Sequence, residues 1–284
     1  MSLGGPGVQA AIDDLYIHHP AAIVEQIAAQ RRRHTRQFRL TFVVTWILLV
    51  GGLVGFLFVS GKIDTAFLSK WGGYILGGVQ TTIVVAVCSI VIAICFAVLG
   101  ALGRLSSNSV LFAVSTLYVS LVRGTPLIVQ ILFIYLALPQ VWSGFADVPS
   151  IALGIFALAF NYGAYMTETF RAGIQAVPRG QTEAAEALGM QARTRMRRII
   201  LPQAVRIITP AIGNEFISMI KDSALVSIIA VPELLWRAQR VGQSNFRTLE
   251  TLLLAAAVYW GLTIVLSLFQ DRLEKRMAES DRRI

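Results

Sequence analysis

Six stretches of this 284-residue chain carry no charged side chain: 40–61, 71–103, 105–122, 124–146, 148–167 and 251–270. A bilayer core of about 30 Å takes about 20 apolar residues of helix to cross, and several of these stretches reach that length. Strands of a transmembrane barrel would be short and alternating, and no such alternation is present. The sequence therefore predicts an all-α fold, a polytopic membrane helical bundle. Composition agrees, with 14% charged residues against about 25% in soluble domains.

Six spans are expected: 40–60, one within 74–103, one mostly over 124–139, then 151–167, 208–231 and 251–270. The third is complicated by Arg123, Gly124, Thr125 and Pro126, which divide two apolar runs. An arginine at mid-bilayer is costly, and the residue before a proline resists helical geometry. A helix lying along the cytoplasmic side, or entering from it, should precede that span. Residues 62–73 and 139–150 then form outer loops. Gly73 and Gly77 form a GxxxG that suits close helix approach or is simply a pair of loop glycines.

The formal charge of +9 could suggest nucleic acid, but the basic residues cluster in loops. Nineteen lysines and arginines fall in 1–39, at Arg104 and Arg123, in 171–206 and in 271–284. Five fall on the other side: Lys62, Lys70, Arg237, Arg240 and Arg247. The positive-inside rule then sets both termini in the cytoplasm, with no cleavable signal expected. The three outer arginines either face an extracytoplasmic partner or are solvated. Residues 13–30 form either a surface helix or a disordered segment. Cys88 and Cys95, seven apart in one apolar run, read as packing residues rather than a disulfide or metal site. His18, His19 and His34 all precede the first span, which excludes a membrane-buried histidine site. Gly55 to Ile63 is similar to a phosphate loop, but the spacing is one residue too long and Ile63 stands where Ser or Thr would hold magnesium. No ATP site is expected in this chain.

Against this apolar background, 183–202 is charged and rich in helix formers. Gly189 suits the left-handed turn that ends a helix, and a second basic helix should run over 192–201, stopped by Pro202. The small side chains of Ala184, Ala185 and Ala187 would let a partner's groove approach the backbone. The spelling Glu183-Ala184-Ala185, three residues, Gly189, nine residues, Ile199-x-Leu201-Pro202 resembles the EAA loop of ABC importer permeases. In that family the loop docks onto a cytoplasmic ATPase, which assigns Glu183, Ala184, Ala185, Leu188, Gly189, Ile199, Leu201 and Pro202 to coupling. Arg123-Gly124-Thr125-Pro126 and the run from Lys221 through Ser227 resemble words of the polar amino acid branch. So does the run from Tyr165 to Gly173, which holds Glu168 and Arg171.

The fifth expected span carries charges that a membrane helix should avoid. At 100° per residue, Asn214, Glu215, Ser218, Lys221 and Asp222 fall within about 120° of one another. An intramembrane charge costs about 2.5–3.5 kcal/mol at the helix centre on insertion scales, so the stripe faces a bundle interior or an aqueous path. Pairing of Lys221 with a carboxylate would account for it structurally. As a substrate path, it would meet the ammonium and carboxylate ends of an amino acid, with Gln130 a lesser candidate.

The resemblance covers 74–278 and implies a type I ABC importer transmembrane domain (MetI-like), with its coupling loop at 178–202. Residues 1–39 are then a cytoplasmic extension, 40–73 an extra helix and outer loop, and 279–284 a tail. The implied function is the permease subunit of an ATP-driven importer in a bacterial inner membrane, moving a polar or charged amino acid inward by alternating access. The implied partners are ABC ATPase subunits carrying ATP and magnesium, a second permease subunit, an extracytoplasmic solute-binding protein and membrane lipid. The rival is an ion-coupled secondary transporter, which leaves the EAA spelling unexplained and often carries internal repeats; none is evident here. An intramembrane enzyme would need paired acids on separate helices, and only one span offers buried acids.

Overall fold

The computed structural model describes residues 20–61 and 63–281, and the regular structure among them is helical. The readings that concern residues 1–19, Lys62 and 282–284 lie outside the described residues. The chain divides into two units, Met1–Ile63 and Asp64–Ile284.

The first unit contains one helix, α1 (Pro20–Val59). No glycine or proline interrupts 21–50, so the helix runs unbroken through the basic cluster into its apolar part, 37–59. That part is open along its whole length. Phe38, Phe42 and Trp46, spaced four apart, stack along one side with ring centroids 6.4 and 6.0 Å apart.

The second unit begins ten residues earlier than the sequence suggested. Asp64 caps α2 (Thr65–Leu76), its carboxylate accepting from the amides of Ala66 and Phe67. The expected loop at 62–73 is thus mostly helix, and residues from 64 belong with the bundle. Beyond Gly77 runs α3 (Gly78–Arg104). The close approach here does not use Gly73, which faces open space. It uses Gly78, where an added Cβ would lie 2.6 Å from the backbone of Leu234.

Next come α4 (Ser109–Arg123) and α5 (Leu127–Leu132), which continues through a π turn, Phe133–Ala137, into α6 (Leu138–Val141). The bend between the two apolar halves is 106°. Pro126 sits there in extended backbone, and the preceding helix has already ended at Arg123, as a proline's bias against helical geometry in the residue before it leads one to expect. The centre of the bundle is α7 (Ser150–Gln175), the most buried of the apolar helices at 61%.

α3 buries a face of small residues at helical spacing, including Ala86, Ala93, Ala97 and Gly100, against Ala159, Gly163 and Met166 of α7. A Cβ on Gly100 would stand 2.2 Å from Thr167 Oγ1, and one on Gly163 would stand 2.5 Å from Phe96 Cβ. Small residues at both positions let the backbones touch, which is how membrane helices gain packing without a hydrophobic drive. This face excludes Cys88 and Cys95. Both are exposed, so they are outward-facing and not core packing residues.

The chain continues through α8 (Arg179–Ala187), α9 (Ala192–Arg195), a π turn Met196–Ile200 and α10 (Leu201–Asp222). Pro202 does not end the second basic helix. The Leu201 amide reaches back five residues to the carbonyl of Met196, and this widened turn accommodates a residue that has no N–H to donate. Residues 192–222 form one continuous helical run as a result, with a second proline, Pro210, inside α10. A 3-10 segment, Ser223–Ile229, then replaces the end of the expected fifth span, and Ala230 turns left-handed at φ 59°. Helices α11 (Leu234–Ser244) and α12 (Thr248–Asp281) complete the unit.

Among the described residues, four helices are long and apolar enough to cross a membrane, or five with the bent pair counted as one span. The remaining expected span, the fifth, corresponds to α10. Its 22 residues reach about 33 Å, but its charged stripe makes it too polar to face lipid. It packs instead against α7, α12 and α3.

Candidate functional site

The charged stripe of α10 opens onto a cavity of about 260 Å³. The bend after α4 supplies Thr125, Pro126 and Leu127, α7 supplies Asn161, Tyr162 and Tyr165, and α10 supplies Glu215 and Asp222. Tyr162 donates its hydroxyl to Asp222 Oδ2 at 2.8 Å. Arg123 lies with its guanidinium 5.3 Å from the centre of the Tyr165 ring, behind one wall of the cavity.

The structure therefore brings together two of the five stripe residues and two of the four signature residues. Asn214 and Lys221 are exposed, Ser218 is half-buried, and none of them lines the cavity. Gly124 caps α4. Gln130 does not line this cavity either. Its amide nitrogen donates to the Val122 carbonyl and to Thr125 Oγ1, each at 2.8 Å, and its oxygen accepts from Asn161 at 3.0 Å. Gln130 thus staples the bend and orients a cavity residue.

The pairing of Lys221 with a carboxylate is absent. Among the described residues, no lysine or arginine lies within ion-pair distance of Glu215 or Asp222. Two carboxylates thus share one small cavity, and among the described residues the Tyr162 phenol is the side chain that bonds to either of them. Like charges in such a space repel, and a cation entering between them lowers that cost. Sequence reasoning passed over Asn161 and Tyr162. Their signal was a polar pair in the middle of an otherwise apolar run.

The second candidate region lies around α8. The helix ends in a left-handed glycine, Gly189 at φ 73°, with the Met190 amide bonded to the Ala185 carbonyl at 3.0 Å and the Gly189 amide to Glu186 at 2.8 Å. These are the two hydrogen bonds of a Schellman cap. An ion pair between Glu186 and Arg195 ties the helix to α9 across the turn. Glu183 and Ala184 are exposed, and Leu188 projects with 81% of its surface open. Ala185 is only 4% exposed. It therefore cannot offer its methyl to a partner, which leaves Glu183, Ala184, Glu186, Ala187 and Leu188 as the exposed side chains around it.

Ile199 is half-buried, while Leu201 and Pro202 are exposed. Ile200 packs with Val177, Ala204 and Ile208, and Gly173 lets Ile208 come so close that a Cβ would meet it at 2.3 Å. Glu168 bonds Arg171 at 2.7 Å and Arg104 at 3.2 Å, so the ends of α3 and α7 are joined next to α8.

Residues 93–279 match the family described as "Binding-protein-dependent transport system inner membrane component". The arginine transport system permease protein ArtQ of Bacillus subtilis is 34% identical over 208 residues, covering 73% of this chain and 94% of that protein. The L-cystine transport system permease protein TcyB of Bacillus subtilis is 39% identical over 202 residues, covering 71% and 85%. Among solved structures, an amino acid ABC transporter crystallised with histidines superposes at a TM-score of 0.71. It is 37% identical, and the match covers 75% of this chain and 99% of that one. The inward-facing MetNI methionine ABC transporter, 16% identical with a TM-score of 0.56, has the same fold.

Proposed function

Because this chain belongs to the binding-protein-dependent transport system inner membrane components, we propose that it is the permease subunit of an ATP-driven importer that moves an amino acid inward by alternating access. It is a multi-pass inner-membrane protein whose α8 end, with both termini, faces the cytoplasm. A partner ATPase carries ATP and magnesium and seats on Glu183, Ala184 and Leu188. A second permease subunit completes the path, and a solute-binding protein delivers substrate from outside.

The observation that carries the substrate reading is the cavity in which Glu215 and Asp222 meet without a counter-ion. It suits a substrate bearing a cationic group, with the ammonium between the two carboxylates. Arg123, held on the Tyr165 ring, provides the positive charge for the carboxylate end. The continuous helical run 192–222 supports the coupling step. From Ile200 to Glu215 is 15 residues, or about 22 Å of helix. A displacement at the α8–α9 turn therefore has a direct helical path to the cavity, with Pro210 inside it as the point where the helix can bend. Closure of the ATPases would draw the two coupling turns together and open the cavity outward, and hydrolysis would let it reopen inward.

Uptake into proteoliposomes containing the permease, its ATPase and binding protein, with labelled basic, acidic and amide amino acids, tests this reading. Basic amino acids are expected to be preferred. Asp222→Asn should lower their uptake at least about tenfold, the scale of losing one charge-assisted contact of about 1.5–3 kcal/mol. Equal uptake by the variant, or a preference for acidic substrates, would remove the carboxylates from the path.

A further inference from the structure

Arg237, Arg240 and Arg247 stand where the charge bias leaves few basic residues, and the import mechanism uses none of them. Two are tied into the fold. Arg237 lies 5.0 Å from the centre of the Tyr74 ring and donates to the carbonyls of Tyr74 and Pro232, each at 3.1 Å. Arg247 pairs with Asp64 at 3.2 Å and Glu250 at 2.8 Å, and covers the Phe67 ring at 5.3 Å. Arg240 is exposed and has no ion-pair partner among the described residues.

Just beyond Arg240, α11 ends in a turn whose left-handed residue is Phe246, at φ 56°. The Arg247 amide bonds the Gly242 carbonyl at 2.8 Å, and the Phe246 amide bonds Gln243 at 3.4 Å. Glycine usually fills that position, and an L side chain there costs on the order of 1–2 kcal/mol. Phe246 is also 97% exposed, which leaves unused the apolar burial its ring offers. A strained backbone and a bare phenylalanine coincide on a firm frame. Asn245 bonds the Val241 carbonyl at 2.9 Å. α12 lies so close that a Cβ on Gly242 would meet Thr251 Oγ1 at 2.4 Å. Strain held by its surroundings is the mark of a position kept for use.

The turn stands at the end of the bundle away from α8. The Arg247–Asp64 pair joins the starts of α12 and α2, while the Arg104–Glu168 pair joins the far end of α3 to the coupling end of α7. Glu250 and Asp64 are occupied by Arg247, and Glu233 is buried, so the exposed surface of this turn is positive.

We propose that Phe246 and Arg240 form the knob on which the soluble binding protein docks, the ring entering an apolar pocket and the guanidinium meeting a carboxylate at its rim. This rests on the import reading above. A partner of that chemistry matches both features, because phenylalanine and arginine are both enriched in protein–protein interfaces and both are exposed here, six positions apart at the end of α11.

The test uses proteoliposomes of the permease and its ATPase with the solute-binding protein that restores labelled amino-acid uptake to them. Phe246→Gly relieves the backbone strain, so misfolding is not its expected effect. It should raise the half-saturating concentration of binding protein about tenfold while maximal uptake is regained at saturation. Arg240→Glu should shift it in the same direction, and Phe246→Trp should leave it within about twofold. A wild type with no dependence on a binding protein overturns this inference together with the import reading. Wild-type dependence with an unchanged half-saturation in Phe246→Gly overturns this inference alone. The same holds if Phe246→Gly instead dissociates the permease pair or weakens its retention in the bilayer, which assigns the ring to a second copy or to lipid.

Discussion

The turn after α8 and the turn after α11 close with the same pair of backbone hydrogen bonds, yet one holds Gly189 and the other Phe246 in the left-handed position. At the α8 end the turn itself is the working part under the proposed import mechanism. It joins two short helices whose outward side chains, Leu188 above all, are what a partner would touch. Nothing is needed at the cap but a backbone that adopts the conformation without strain, and glycine does so. At the α11 end the cap residue is the feature presented. The lesson is that a shared backbone motif says where the chain reverses, while the residue placed in it says whether the reversal is only a hinge or also a contact.

Changes at the α8 turn should have the largest effects. Gly189→Pro cannot take a positive φ, because the ring locks φ near −65°. Transport and substrate-stimulated ATP hydrolysis should be lost in that variant while membrane insertion, followed by fractionation, is retained. Wild-type transport would sever the turn from coupling. Glu183→Lys leaves the backbone alone and reverses a charge on the exposed face of α8. Hydrolysis coupled to transport should fall by about tenfold or more, as for truncation of a desolvated charged contact worth a few kcal/mol. An unchanged rate would show that the ATPase seats elsewhere. The smallest effects sharpen the comparison most. Gly189→Phe should destabilise the purified subunit by about 1–2 kcal/mol, and Phe246→Gly should be neutral or stabilising by up to about 1 kcal/mol. Thermal unfolding in one detergent reads both. Shifts of equal sign would mean that the two turns do not share a backbone requirement.

The resemblances legible in the sequence mark regions more reliably than individual residues. Glu215 and Asp222 were identifiable because charges in a span are expensive, and they do line the cavity. Lys221, adjacent in sequence and on the edge of the same stripe, lies outside it. Gln130 has the polarity of a path residue but spends its hydrogen bonds on the bend. Ala185 belongs to the EAA spelling and is buried. Each of these distinctions depends on what stands opposite the residue, which helical periodicity does not contain.

The sequence by itself determined the class of fold, because charge-free runs of this length have few stable alternatives to membrane helices. It also located the glycine turn at Gly189, set among charged helix formers, which the structure places after α8. Tertiary structure alone decided that Pro202 lies within a continuous helical run. A π turn of five residues, Met196–Ile200, closed by the Leu201 amide on the Met196 carbonyl, is a cooperative adjustment of the backbone and has no residue signature of its own. It decided, too, that Tyr162 would meet Asp222, since that contact spans 60 positions and exists only once α7 and α10 are packed together. The same is true at the other end, where glycine-like geometry is imposed on Phe246 by hydrogen bonds to α11 and by the ion pairs of Arg247, not by any preference of phenylalanine.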